Sequence, residues 1–134
     1  MTRPPIGVVD TSVFVAWEAG RPVDDDRRPE QVVVSVVTLA ELRSGVLAAP
    51  TAAARSSRLA TVESLDELIV LPIDESVAHL WADLRAHLAE TGRRVNVNDL
   101  WIAATAAAHG IPVVTQDADF DPVEGVAGLE VVRV

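Results

Sequence analysis

Five short stretches of this chain are apolar at nearly every position, and segments of helical pattern separate them. They are Ile6-Gly7-Val8-Val9, Val32-Val33-Val34, Leu68 to Ile73, Pro112-Val113-Val114 and Leu129 to Val132. A strand with one wet face alternates apolar and polar residues. These do not alternate, so both of their faces must be covered. Strand and helix in turn predict an α/β fold, a three-layer sandwich with a central, mainly parallel five-stranded sheet flanked by helices.

The helices read from their punctuation. The first covers Val13 to Glu18. The second passes through Leu39, Leu42 and Val46 to about Ala49, where Pro50 stops it. The third runs from a Thr51 cap to Asp66. The fourth, capped by Asp74, carries Val77, Leu80, Trp81, Leu84 and Leu88 along one stripe and ends at Gly92. The fifth is capped by Asn98 and ends at His109-Gly110. Gly20 to Glu30 is polar, holds two prolines and reads as a loop.

The 134 residues read as one domain over 1–134, long enough to bury a core unaided. There is no cysteine, which excludes disulfides and thiolate metal sites. No apolar run approaches the ~20 residues of a bilayer span. Met-Thr-Arg-Pro-Pro lacks a signal peptide's apolar region, so the expectation is a cytoplasmic protein with no membrane contact. Twenty acidic residues against 11 basic ones, all arginine, leave a net charge of -9. Such a chain cannot hold nucleic acid by surface charge alone.

In an open parallel sheet the functional crevice lies outside the carboxyl ends of the strands. Acids occupy those places here. Asp10 ends the first strand, Glu41 lies early in the helix after the second, Asp99 opens the helix before the fourth, and Asp117 and Asp119 follow the fourth. Each has a plain structural reading. Asp10 is placed to cap a helix. Thr38 to Glu41 fits a capping box, unless Ser35 is the cap, in which case Glu41 projects from the second turn. Asp99 suits a positive helix end, and Asp117 and Asp119 suit a turn. Together they point elsewhere, because all fall at one sheet edge.

Two carboxylates ~5 Å apart at an effective dielectric of ~20 repel by roughly 3 kcal/mol. A cluster of this kind must either keep protons through raised pKa values or hold a cation. Ligands that are all oxygen suit Mg²⁺ or Mn²⁺. Such ions activate water and neutralise phosphoryl charge, which lets an acidic protein act on a polyanion.

Four segments carry a resemblance. Val8-Val9-Asp10-Thr11-Ser12-Val13, Thr38-Leu39-Ala40-Glu41-Leu42, Asn98-Asp99-Leu100-Trp101-Ile102-Ala103 and Val114-Thr115-Gln116-Asp117-Ala118-Asp119-Phe120 are similar, in order, to the motifs of PIN-domain ribonucleases. They most resemble the VapC-type toxins of VapBC toxin–antitoxin modules. The resemblance implies a Mg²⁺- or Mn²⁺-dependent endoribonuclease acting on transfer or ribosomal RNA. It assigns Asp10, Glu41, Asp99 and Asp117 as catalytic metal-binding acids, with Asp119 as an auxiliary. Thr11, Ser12, Asn98 and Thr115 match the supporting polar residues. One residue, Ala118, separates Asp117 from Asp119, where many relatives have two. A VapB-type antitoxin and a homodimer are also implied, and the negative charge suits a basic partner.

Of the remaining residues, Arg93, Arg94 and Arg43 are candidates for guiding an RNA backbone. Trp17, Trp81 and Trp101 read as packing residues. His79, His87 and His109 have no position that pairs them for acid–base cleavage. Two rival readings fit the sequence less well. A signalling receiver needs a lysine, and the chain has none. A phosphatase of haloacid-dehalogenase type needs Asp-x-Asp, and Ser12 stands where the second acid would be.

Overall fold

The computed structural model describes residues 3–134. Five parallel strands, β1 (Ile6–Val9), β2 (Gln31–Ser35), β3 (Ile69–Leu71), β4 (Val113–Thr115) and β5 (Val131–Arg133), form one sheet in the order β3-β2-β1-β4-β5. Five helices accompany them: α1 (Thr11–Glu18), α2 (Val36–Leu47), α3 (Ala52–Ser64), α4 (Glu75–Thr91) and α5 (Val97–His109). Short 3-10 turns occupy Leu65–Glu67, Asp121–Val123 and Val126–Gly128.

The unbroken apolar strands are explained by two cores, one on each side of the sheet. Val8, Val33, Val113 and Val131 pack with Val77, Leu84 and Leu88 of α4 and Leu100 and Ile102 of α5. Their neighbours Val9, Val34, Val114 and Val132 pack on the other side with Val13 and Phe14 of α1 and Leu42 of α2. Successive residues of a strand face opposite ways, so each strand supplies both cores. Each buried large side chain contributes about 1.5–3 kcal/mol. The predicted three-layer sandwich is therefore the observed one.

Strand order reverses at β1, which pairs with β2 on one side and β4 on the other. That is the switch point at which a crevice opens beyond the strand ends. Gly7 permits the close β1–β4 approach: a Cβ there would stand 2.7 Å from Val114 Cγ2. Among the described residues, no helix is long and apolar enough to cross a membrane.

Most caps fall where the sequence puts them. Thr51 accepts from the Ala54 amide, Asp74 from the Val77 amide, and Gly92 closes α4 in the left-handed region at φ 67°. Two expectations are corrected. The cap of α5 is Asn96, whose side chain accepts from the Asn98 amide at 2.9 Å. Asn96 keeps extended backbone while Asn98 is already helical, so Asn98 is a first-turn residue and not the cap. The capping box at Thr38 to Glu41 does not form. Ser35 caps α2 by accepting from the Val37 amide, and Thr38 is buried inside the helix. The strand expected over Leu68 to Ile73 is shorter, Ile69–Leu71, because pairing with β2 ends there.

Candidate active site

Asp10 follows β1 at the switch point and is 3% exposed. It takes the cap position of α1, yet its side chain makes no cap hydrogen bond. Instead Ser12 Oγ donates to Asp10 Oδ2 at 2.7 Å, and Thr115 Oγ1 donates to the same oxygen at 3.1 Å. Neither hydroxyl reaches Oδ1. The two hydroxyls lie 3.3 Å apart and are themselves held by backbone: the Gln116 amide donates to Ser12 Oγ, and the Asp117 amide to Thr115 Oγ1. The bond between Thr115 and Asp10 joins residues 105 positions apart. Burial pushes the Asp10 carboxyl above its ordinary 3.8, and the hydroxyls of Ser12 and Thr115, with the nearby amides of Ser12 and Thr11, oppose that shift.

Because Ser35 begins α2, Glu41 projects from its second turn. Thr11 Oγ1 donates to Glu41 Oε1 at 2.7 Å and lies 3.0 Å from Thr38 Oγ1. This ties the start of α1 to α2. Asn98 lines the same hollow as Glu41, together with Val37, Ala40 and Ser44.

Asp99 enters from the first turn of α5. Its carboxyl is raised to about 7, first by burial and then by the charges of Asp10, Asp119, Glu41 and Asp117. All the acids singled out in the sequence therefore act on Asp99. Asp117 follows β4 and is also raised, by burial, by the charges of Asp119 and Asp10 and by contact with Asp119, with Arg21 opposing. Asp119 is exposed and shares a groove with Asp99, Arg93, Arg94 and Asn96.

Asp99, Asp119 and Asp121 line this groove, while Glu41 lines the hollow with Asn98; among the described residues, no group of three His, Cys, Asp or Glu forms a metal-ligating cluster. Two observations nonetheless fit a hard cation. Asp117 Oδ1 is buried without a hydrogen-bond partner among the described residues. The available donors are carboxylates, hydroxyls and an amide, all oxygen on their acceptor side.

Several residues at the edge were not singled out in the sequence as part of the site. Thr38, a cap candidate by sequence, is buried in α2 with its hydroxyl 3.0 Å from that of Thr11. Gln116 links the edge to the 20–30 loop, since its Nε2 donates to Pro22 O at 3.2 Å and to Val134 O at 2.8 Å. Arg21 brings a positive charge to Asp117, and nothing in the spacing of that loop announces it. Arg43 lies away from the groove; two residues past Glu41, it is turned about 160° from it around α2. His79 pairs with Glu75 in solvent at 3.6 Å, and His109 ends α5. Trp81 and Trp101 stack at 4.9 Å, and Trp17 meets Phe14 edge-on.

Comparison with known proteins identifies the family. The PIN domain family matches residues 7–126. Ribonuclease VapC5 of Mycobacterium tuberculosis is 56% identical over 133 residues, which is 99% of this chain and 98% of its own. Ribonuclease VapC4 of the same organism is 47% identical over 113 residues, covering 84% of this chain and 87% of its own. The crystal structure of VapBC-5 from M. tuberculosis, a member of the VapBC toxin–antitoxin family, superimposes with a TM-score of 0.92 at 53% identity, over 98% of this chain and 100% of that one. DNA-bound VapBC from Salmonella typhimurium gives a TM-score of 0.74 at 26% identity, over 98% and 97%. The chain belongs to the PIN-domain family and, within it, to the VapC ribonucleases.

Proposed function

We propose that this VapC ribonuclease is a Mg²⁺- or Mn²⁺-dependent endoribonuclease, the toxin of a cytoplasmic type II toxin–antitoxin module. It cuts transfer or ribosomal RNA and so stops translation. The observation that carries the reading is the convergence on Asp99: burial first, and then the charges of acids from the end of β1, from α2 and from the segment after β4, raise its carboxyl to about 7. A site that holds so many acids at one edge is made for positive charge.

Asp10, Asp99 and Asp117 would hold the ion, with Glu41 and Asp119 flanking. The ion supplies positive charge to the phosphodiester and lowers the pKa of a water. The chain's own residues do the positioning. Ser12 and Thr115 fix the Asp10 carboxylate through Oδ2. Thr11 fixes Glu41. Asn98 borders the Glu41 hollow, and Arg93 and Arg94 border the groove at Asp99. An RNA strand lying in that groove passes the two arginines on its way to the acids. No histidine stands at the groove, so the proton work falls to carboxylates and water.

The partner is a VapB-type antitoxin. The net charge of -9 favours a basic one, and the VapBC complexes similar to this chain are toxin–antitoxin assemblies. The receiver and phosphatase readings are not favoured. At the position where such a phosphatase carries its second acid, the Ser12 hydroxyl donates to Asp10.

The test is cleavage of purified RNA with mapping of the new 5′ ends. EDTA should abolish cleavage, and Mg²⁺ or Mn²⁺ should restore it. Cleavage that resists the chelator overturns the metal-dependent reading. Asp10→Asn should remove activity while leaving the fold intact, and a folded, fully active variant removes Asp10 from the chemistry.

A further inference from the structure

The turn between α4 and α5 builds a second feature beside the groove. Gly92 reverses the chain in the left-handed region, and Asn96 starts α5 four residues later. Between them stand Arg93 and Arg94. One face of α4 carries Trp81, Arg85, Leu88 and Ala89 toward the same place, at the spacing of successive helical turns. The result is a cavity of about 490 Å³ with an apolar floor that includes Leu88, Val95 and Leu100, and with Arg85, Arg93 and Arg94 on its walls. No acidic residue lines it.

Three features suit the cavity to an anionic ligand. The chain has 20 acidic residues and 11 arginines, yet three of those arginines meet here. As with most of the chain's arginines, no carboxylate among the described residues comes within 4.0 Å of Arg85, Arg93 or Arg94, so all three charges are open to a ligand. Trp81, stacked on Trp101, has a buried Nε1–H without an acceptor among the described residues. A buried donor without a partner is costly and is relieved by a ligand that brings acceptor oxygens.

We propose that this cavity is an RNA backbone subsite: it takes a phosphate of the strand at a position away from the cut. The proposal rests on the ribonuclease reading above and extends it. Arg93 and Arg94 line both this cavity and the acid-lined groove, so one strand can run from one to the other without leaving the protein. Guanidinium groups bind phosphate oxygens in pairs. An arginine-lined groove with an aromatic neighbour is the usual means of holding single-stranded nucleic acid. An otherwise acidic surface repels the strand, so local positive charge sets where it enters. Arg85 is the residue that this assignment adds.

The experiment measures binding of a short single-stranded RNA to the full chain by fluorescence anisotropy, in EDTA so that no cleavage occurs, across a salt series. Arg85→Gln is compared with Arg55→Gln, which removes the same charge from α3 and away from both grooves. Arg85→Gln should weaken binding about 5-fold. It should also reduce the slope of log K against log salt by about 0.7, the value of one single-strand phosphate contact. Arg55→Gln should change neither. Equal effects of the two variants would mean that net charge alone is sensed and would overturn the subsite. So would unchanged RNA binding by Arg85→Gln accompanied by a shift in sedimentation, which would make the cavity a contact between two copies. Cleavage with Mg²⁺ is read separately on the wild-type chain. Its absence would count against the ribonuclease reading, while the binding comparison would still decide the subsite.

Discussion

Thr115 Oγ1 donates a hydrogen bond to Asp10 Oδ2 at 3.1 Å, joining the carboxyl ends of β1 and β4, the two strands that flank the switch point. The same hydroxyl oxygen accepts from the Asp117 amide at 3.2 Å. One threonine thus orients two of the acids. Thr115→Val keeps the shape and removes both bonds. It should cost about 1–3 kcal/mol of stability, because Thr115 is fully buried and leaves its partners unsatisfied. With one lowering influence gone, the Asp10 carboxyl should rise further, and the acid limb of the rate profile should move to higher pH. Thermal melts and a pH–rate profile check the two effects.

Asp99 makes stability fall as pH rises. Its carboxyl titrates at about 7 in the folded chain against an ordinary 3.8. Between those values the folded state holds a proton that the unfolded chain has released, so raising the pH favours unfolding across that window and has little further effect above it. Asp10 and Asp117, also raised, push in the same direction. The melting temperature of the metal-free protein should therefore drop from about pH 5 to about pH 8. Added Mg²⁺ should raise it more at the higher pH, where no proton competes with the ion. A flat profile would show that these acids ionise freely.

Asp99→Asn separates stability from activity. Removing the charge that the other acids repel should stabilise the metal-free protein at about pH 8, by on the order of 1 kcal/mol. RNA cleavage should disappear. Calorimetry and a cleavage assay on one preparation are enough, and a variant that is both destabilised and active would contradict the prediction.

Glu41→Gln should barely change stability, since Ser35 caps α2 and the Thr11 hydroxyl can still donate to the amide oxygen. Cleavage should fall sharply. A large loss of stability with activity kept in the folded fraction would return Glu41 to a structural role.

Gly7→Ala tests the sheet itself. The new methyl would meet Val114 Cγ2 at 2.7 Å, and overpacking of this kind costs about 1–3 kcal/mol. The refolded variant should still gain stability from Mg²⁺, because Gly7 touches no acid.

The sheet was legible because each strand feeds two cores and so keeps polar residues to its ends. Val8 and Val9, or Val113 and Val114, could only be strands covered on both sides. The acids were legible as strand-end and helix-start residues once a parallel sheet was assumed. What stayed hidden depends on backbone detail or on distant partners. Asn96 and Asn98 are equally able caps by composition, and only the turn out of α4 decides between them. Gln116 and Arg21 reach the site through a loop whose path no local pattern encodes. Arg85 joins Arg93 and Arg94 only after α4 folds back upon α5.

The bond between Asp10 and Thr115 also sets a timetable. The ribosome makes Asp10 before Asp99, Thr115 and Asp117, which follow it by 89, 105 and 107 positions. The link spans 105 positions, and a loop of that length closes only when the strands between have found their places. A growing chain that stops short of β4 has neither the second hydroxyl on Asp10 nor the acids of the far side. A ribonuclease built this way therefore cannot complete its site while most of the chain is still being made. Products truncated before Thr115 should be harmless to the cell that makes them.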